Sequence, residues 1–596
     1  MKLIIPHLSE IEAADARLIR LAEFLGITCE PLFLGNQAHL NVNYIKEFSL
    51  NRGNCFVVNP QVMKQWTGGH LPRHFVDALK SQFPFLLVHR LTQDSFCQDL
   101  TRALSSDRLQ YVEAVADTGK SYEISSDMKA VCGPFSGLSF GPANPCNDHV
   151  FSVINDDAIV RTPISIGGKP FMATMKQDKT ELLFLASTDV MDVDSEVGDT
   201  PLSEYFSRFV PHAMALRYIF GDQCWHPNEL CASFIVDDPL LRLKYGYLNF
   251  ETLLKLTKEC NFSTTIAFIP HNYRRNLRQT VQMFRQNNDR LAICYHGNDH
   301  TAAEFASPDL VQLNTMTRIA EFRMRAHEKM TGLCCDRVMV FPQERFSVEA
   351  MKVLKSRNFF AAVSGGPHPA GCRVSLTLAE IAQPAVLRHS GFALFLRKYI
   401  GQAERLDFAF NLFFGRPVLI VDHHEIFART ETLIDTVSMI NSMAPDIKWC
   451  NLATAITSSN LRRTASDGTC HVHAYSSAVP IFNKGNSPKR FVVEWNHPEG
   501  SPPVERVMQD EAFDHTFQVS ASAVRLSTEF VPGESHTFSV EYRNDYPSLR
   551  GLGFRWEAKA FLRRRLSEAR DNYISKNRFA MAVCQALRRR VLSKVL

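Results

Sequence analysis

The sequence predicts an α/β protein built around a (β/α) barrel, with an open α/β domain before it and a β-sandwich and a basic helical tail after it. Three observations predict this. Between residues 225 and 460, short apolar runs alternate with helical stretches, and four of those runs end on acids, histidines or a proline break. Beyond Ser466 the pattern changes to short alternating segments separated by Gly, Pro and Asn. A chain of 596 residues is also too long for one hydrophobic core.

Residues 1–215 open with Leu3 to Pro6 as a strand and Ala13 to Leu25 as an amphipathic helix. Cys55 to Asn59 and Phe85 to His89 read as buried strands, separated by helical stretches such as His74 to Ser81. That alternation argues for a parallel, Rossmann-like sheet. Pro163 to Ser187 alternates instead, with Gly167-Gly168 as a two-residue hairpin turn and Leu182 to Leu185 as a closing strand. The domain has no G-x-G-x-x-G loop and no nucleophile elbow around a cysteine, so it reads as a scaffold or binding module.

Over 225–460 the apolar strands are Cys231 to Val236, Thr264 to Ile269, Leu291 to Tyr295, Val338 to Phe341, Phe360 to Val363 and Val418 to Val421. Helical stretches, among them Leu253 to Thr257, Leu310 to Lys329, Val348 to Ser356 and Thr432 to Ser442, lie between and after them. Roughly seven such units close a barrel. Residues 466–550, with Phe491 to Trp495 and His536 to Tyr542, follow β-sandwich grammar and suit either carbohydrate binding or a structural cap. The tail, 556–596, sets eleven Lys and Arg against three acids in a chain whose net charge is only +4. Phe579, Val583, Leu587, Val591 and Val595 recur there at helical spacing. This is the form of a helix making a peripheral membrane or protein contact, or of one packed on its own protein.

Composition narrows the function classes. The 45% apolar and 21% charged content is that of an ordinary globular protein, and +4 gives no electrostatic footprint for nucleic acid. The 15 cysteines are odd in number and form no C-x-x-C pair, which points to reduced thiols in the cytoplasm. The Leu3 to Ile5 run is too short for a signal peptide, and no apolar stretch is long enough for a transmembrane helix. The expected location is therefore cytoplasmic, with the tail as the candidate for a membrane-peripheral contact.

The chemistry is concentrated at the strand ends. Phe234-Ile235-Val236 runs into Asp237-Asp238-Pro239, and Cys294-Tyr295 runs into His296-Gly297-Asn298-Asp299-His300. With 21 histidines, about 0.7 H-x-x-x-H pairs arise by chance, so the pair means little alone. Its place in an order means more. Acid pair, histidine pair, proline break at Phe341-Pro342 and His423-His424 fall at successive strand ends, where a barrel gathers its site. Imidazole nitrogen and carboxylate oxygen suit a zinc-like ion with one open position, so Asp238, His296 and His300 are the candidate ligands and Asp237 a free proton acceptor. The ordinary alternatives are an acidic turn capping a helix near Leu240 and a hydrogen-bonded loop of histidines.

Over about residues 225–460 this order resembles the polysaccharide deacetylases, metal-dependent carbohydrate esterases with a distorted barrel. The resemblance implies that Asp237 is the general base, that Asp238, His296 and His300 hold the metal, and that Val421-Asp422-His423 supplies the catalytic acid, His423. His424 then flanks the site. Gly297 replaces a hydroxyl residue, Pro239 stands where Gly is usual, and Phe341 to Phe346 replaces an Arg-Pro-Pro-Tyr-like loop, which leaves Arg345 to hold the base. His271 and Arg397 are candidate substrate contacts. The implied cofactor is one divalent ion, zinc first, with cobalt, nickel or manganese as alternatives. The implied reaction is N-deacetylation of an acetylated amino sugar or saccharide precursor. Two alternatives stand beside it: a catalytically degenerate scaffold of a polysaccharide-synthesis complex, and a hydrolase of another C–N amide bond. The first domain resembles the glutamine-amidotransferase-like domains attached to some carbohydrate enzymes, with no catalytic residue carried over.

Overall fold

The computed structural model describes residues 1–35, 54–115, 119–144, 147–154, 159–198, 200–301 and 303–574. The chain divides into two compact units. One comprises Met1–His226, Ser375–Ala382 and Arg462–Thr469, the other Pro227–Val374, Gln383–Leu461 and Cys470–Leu596.

The first unit is organised by a mixed sheet. Cys29–Phe33, Leu3–His7, Cys55–Val58, Phe85–Val88 and Thr180–Leu185 lie side by side in parallel. In Leu3–His7, Cys55–Val58 and Thr180–Leu185 the apolar side chains are almost all buried on both faces, as a parallel sheet covered by helices requires, while Phe33 of the edge strand is exposed. Beyond Thr180–Leu185 the neighbours run antiparallel: Lys169–Gln177, Arg161–Ile166, Tyr122–Ile124 and Ser139–Phe140. The parallel reading of this unit therefore holds for half of its sheet. Two tight turns make these reversals: Asp178-Lys179, with Asp178 at φ 51°, joins Lys169–Gln177 to Thr180–Leu185, and Gly167-Gly168, at φ of 56° and 75°, joins Arg161–Ile166 to Lys169–Gln177. Helix Phe206–Phe220 packs here with His212 fully buried and both its ring nitrogens unpartnered.

The second unit contains the barrel. Its strands are β1 (Cys231–Asp237), β2 (Thr264–Phe268), β3 (Leu291–His296), β4 (Asp336–Val340), β5 (Ala361–Ser364), β6 (Leu394–Leu396), β7 (Lys398–Tyr399) and β8 (Val418–Asp422). They pair in parallel in the order β6-β5-β4-β3-β2-β1-β8-β7. The two ends of that path are one stretch of chain, since only Arg397 separates β6 from β7. A single segment thus bridges β5 and β8, bringing the sheet round into a nearly closed ring. Between strands the chain forms helices with readable caps. Asn249 accepts from the Glu251 N–H at the start of Phe250–Glu259, and Asp309 does the same from Val311 for Leu310–Thr331.

Two further elements complete this unit. Cys470–Ala474, Lys489–Asn496, Ala523–Phe530 and Gln518–Val519 face Ala478–Phe482, Ser535–Tyr542, Val504–Gln509 and Phe513–His515. Phe491, Val493, Trp495, Phe538 and Val540 fill the space between. The terminal helix, Phe554–Ala569, ends in a wider turn over Arg570–Ile574. The stripe from Phe579 to Val595 lies outside the described residues. No helix among the described residues is long and apolar enough to cross a membrane.

Candidate metal centre and active site

β1 is buried along its length and β3 nearly so, and each delivers its ionisable site residues where the strand ends. There Asp238, His296 and His300 converge. Nε2 of His296 lies 3.6 Å and Nε2 of His300 3.4 Å from Oδ1 of Asp238, and the three donor atoms fall within 4.8 Å of one another. Zinc bonds of about 2.0–2.1 Å at tetrahedral angles would separate neighbouring donors by roughly 3.4 Å. Oδ1 of Asp238 is buried with no hydrogen-bond partner, an orphaned acceptor that a cation would satisfy. His296 turns its other nitrogen, Nδ1, to the Val340 carbonyl at 3.0 Å, which fixes the ring with Nε2 facing Asp238. Burial pushes the pKa of His296 down and that of His300 down to about 4, against the pull of Asp238, so both rings are neutral at pH 7, the form that ligates. Asp238 and His300 reach these positions with φ of 81° and 53°. For non-glycine residues such backbone costs about 1–3 kcal/mol each and is retained where surroundings enforce it. The donor set fits a divalent ion.

Asp237 lines the same cavity and is held in a clamp. Arg397 donates from Nη1 to Oδ1 at 2.8 Å and from Nη2 to Oδ2 at 2.7 Å, with both side chains buried. Burial alone would raise the Asp237 pKa, but the guanidinium, with His296 and His423 nearby, holds it well below the carboxylate range. The arginine that holds this acid is therefore Arg397 and not Arg345, which is exposed outside the cavity. The reason is topological. Arg397 is the residue that breaks the closing segment between β6 and β7, so it enters the ring from that segment, with Glu344 of the proline break 4.0 Å from its Nη2.

His423, one residue past β8, also lines the cavity, with its ring stacked on Tyr399 at 6.0 Å and 12°. His424 turns the other way and is buried against Tyr245 and Tyr247. His271 donates its backbone N–H to the Asn298 carbonyl at 2.9 Å and does not line the cavity. It supports the histidine loop from behind.

The loop itself is organised by Glu304. Its carboxylate accepts the backbone N–H groups of Asn298, Asp299, His300 and Thr301 and the Thr301 hydroxyl, all at 2.7–3.3 Å. A Cβ on Gly297 would stand 2.1 Å from Glu304 Oε1, and Gly297 has φ 65°. The side chain that family resemblance leads one to expect there has no room, because Glu304 already occupies the place. Asp299 is held by Arg323, and by Nε1 of Trp556 on the terminal helix at 2.8 Å.

That helix roofs the site. The cavity, about 650 Å³, is floored by Asp237, Asp238, His296, His300 and Arg397, and its roof is Lys559, Leu562, Arg563, Arg564, Leu566 and Arg570. Glu568 pairs with Arg275 and Arg242, and Asp571 accepts the Tyr245 hydroxyl at 2.6 Å. Burial would raise the Asp571 pKa, but His424, Arg570 and Tyr245 hold it at about 2, so it stays an anionic anchor. Sequence reasoning missed Glu304, the clamp role of Arg397 and the roof. For the roof a signal exists, since Lys559, Arg563 and Arg570 share one helical face.

No family model matches the chain, and no curated protein matches it. Among solved structures it is similar to Agd3, a carbohydrate deacetylase, at 9% identity and a TM-score of 0.45, over 90% of this chain and 98% of that one. It is similar to a family 4 carbohydrate esterase from Streptomyces lividans in complex with acetate at 9% identity and a TM-score of 0.23, over 38% and 93% of the two chains. A third is the Xyl-CE4 domain of a multidomain xylanase from the hindgut metagenome of Trinervitermes trinervoides, at 11% identity and a TM-score of 0.25, over 38% and 90%.

Proposed function

We propose that the chain is a metal-dependent N-deacetylase of an acetylated amino sugar, working at the ends of β1, β3 and β8. The observation that carries this is the orphaned Oδ1 of Asp238 with two imidazole Nε2 atoms 3.4 and 3.6 Å from it. Asp238, His296 and His300 would hold one divalent ion, zinc before cobalt, nickel or manganese. Such an ion supplies Lewis acidity to an acetyl carbonyl and acidity to water. Asp237 is the proton acceptor. Arg397 uses one lone-pair site on each of its oxygens, and a carboxylate has about four. The clamp keeps it ionised and immobile, so it meets the water in one orientation. His423 would give a proton to the leaving amine, with Tyr399 fixing the plane of its ring. The cavity of about 650 Å³ is of a size to admit a sugar residue with its acetamido group.

The test is acetate release from N-acetylglucosamine and its short oligomers by the zinc-loaded chain. Turnover that disappears in Asp238→Ala and His423→Ala supports the reading. Turnover retained in Asp238→Ala would overturn it. A chain that binds no divalent ion would point instead to a scaffold built on a degenerate barrel.

A further inference from the structure

The roof of the cavity carries more positive charge than the proposed reaction uses. Arg564 is buried, its Nε has no hydrogen-bond partner, and among the described residues its hydrogen bonds go to the Nδ1 and carbonyl oxygen of His300, each 3.4 Å from Nη2. An imidazole ligating through Nε2 carries its proton on Nδ1. A guanidinium cannot accept that proton, so a metal-bound His300 leaves Arg564 with the carbonyl alone. Beside it stand Arg563 and Lys559. Among the described residues none of the three ends in an ion pair.

Asp238, which attracts both Arg564 and Arg563, is committed to the proposed ion, and the other nearby acids among the described residues are held within the protein. Glu557 pairs with Arg323, Glu568 with Arg275 and Arg242, and Asp571 with Arg570, while Glu304 is enclosed by backbone amides. The chain beyond residue 574 contains no Asp or Glu. A neutral sugar would leave three cations facing a divalent ion across a partly desolvated cavity, and like charges so placed repel. An oxyanion on the sugar removes that conflict, and guanidinium groups recognise such oxyanions bidentately.

We infer that the substrate is an anionic saccharide, whose carboxylate or phosphate is bound by Arg564, Arg563 and Lys559 while its acetamido group faces Asp238, His296 and His300. This rests on the deacetylase reading for the acetamido end only. The terminal helix is then the specificity element of the site. A carboxylate and a phosphate share this chemistry, and the experiment separates them.

The full zinc-loaded chain is titrated calorimetrically with N-acetylglucosamine, N-acetylglucosamine 6-phosphate and N-acetylmuramic acid, at low and high salt. At least one anionic sugar is expected to bind tenfold or more tightly than the neutral one, with the advantage shrinking in high salt. Whichever leads identifies the oxyanion. The pair Lys559→Gln/Arg563→Gln, at positions that are not fully buried, is expected to cut the advantage at least fivefold. Arg564→Lys is expected to cut it as well. Equal affinity for all three sugars overturns the inference. So does an advantage that the double variant leaves untouched, which would place the anion on the metal. Acetate release is scored separately. Preferential binding without release leaves the anion site standing and removes the deacetylase reading. Equal binding with equal release from all three sugars does the reverse.

Discussion

Replacing Arg397 by Met keeps side-chain length but removes the clamp on Asp237. The side chains of the pair are 1% and 3% exposed, so little solvent is available to take over the lost interaction. Removing one partner of such a pair costs about 3–5 kcal/mol, because the other charge stays buried. The sign with pH follows from the same geometry. In the native chain the Asp237 carboxyl is held low, so it is ionised throughout the neutral range and its stabilising contribution is lost only in strong acid. Without Arg397 the remaining large influence is burial, which raises the pKa, so Asp237 takes up a proton as pH falls toward neutrality. Acetate release measured between about pH 5 and 9 is expected to lose activity on its acid side, and the urea midpoint to fall at unchanged slope. Arg397→Lys is expected to fall between, since one ammonium cannot bridge both oxygens. A variant with native stability and a native pH profile would refute both the clamp and the assignment of Asp237 as base.

Three further outcomes are expected. Glu304→Gln turns an amide NH2 toward backbone N–H groups that need an acceptor, so the histidine loop shifts and zinc affinity, followed by titration, falls roughly 10–100-fold. Gly297→Ser places a side chain 2.1 Å from Glu304 at a φ of 65°, and is expected to abolish metal binding rather than improve the match to the family pattern. A variant that binds zinc normally would contradict this account of the loop. In the first unit, burial with His89 beside it pushes the His212 pKa down to about 3, so the unfolded chain binds a proton there that the folded one does not. That contribution is complete above the unfolded value and is lost as pH falls below it. It amounts to roughly 2 kcal/mol between about pH 6.5 and 4.5, and thermal unfolding should track it in the native chain and not in His212→Phe.

The parts of this site that show in the sequence are those where one strand carries its own message. β1 and β3 carry no charged residue through Val236 and Tyr295 and then turn abruptly acidic or histidine-bearing, so a local pattern marks both the strand and its functional end. Arg397 could not be placed that way. It acts on a residue 160 positions earlier and sits in a closing segment whose two strands are only three and two residues long, too short for a period to register. Glu304 works through backbone amides, which leave no mark on the residues they belong to. The resemblance put Gly297 down as a departure, and the carboxylate that makes it necessary lies seven residues on. The terminal helix shows the opposite difficulty. Its cations have the spacing of a solvent or membrane face, and only the fold reveals that Lys559, Arg563 and Arg564 look into the barrel mouth. A local code reports what a residue is, while its partner is decided by ring closure.

The most direct test is the stoichiometry and affinity of divalent-ion binding by equilibrium dialysis, for the native chain and for His300→Ala. One zinc per native chain, with affinity reduced at least a hundredfold when His300 is lost, is the expected result. No bound ion, or an ion held equally well without His300, would contradict the claim that Asp238, His296 and His300 form a single metal centre.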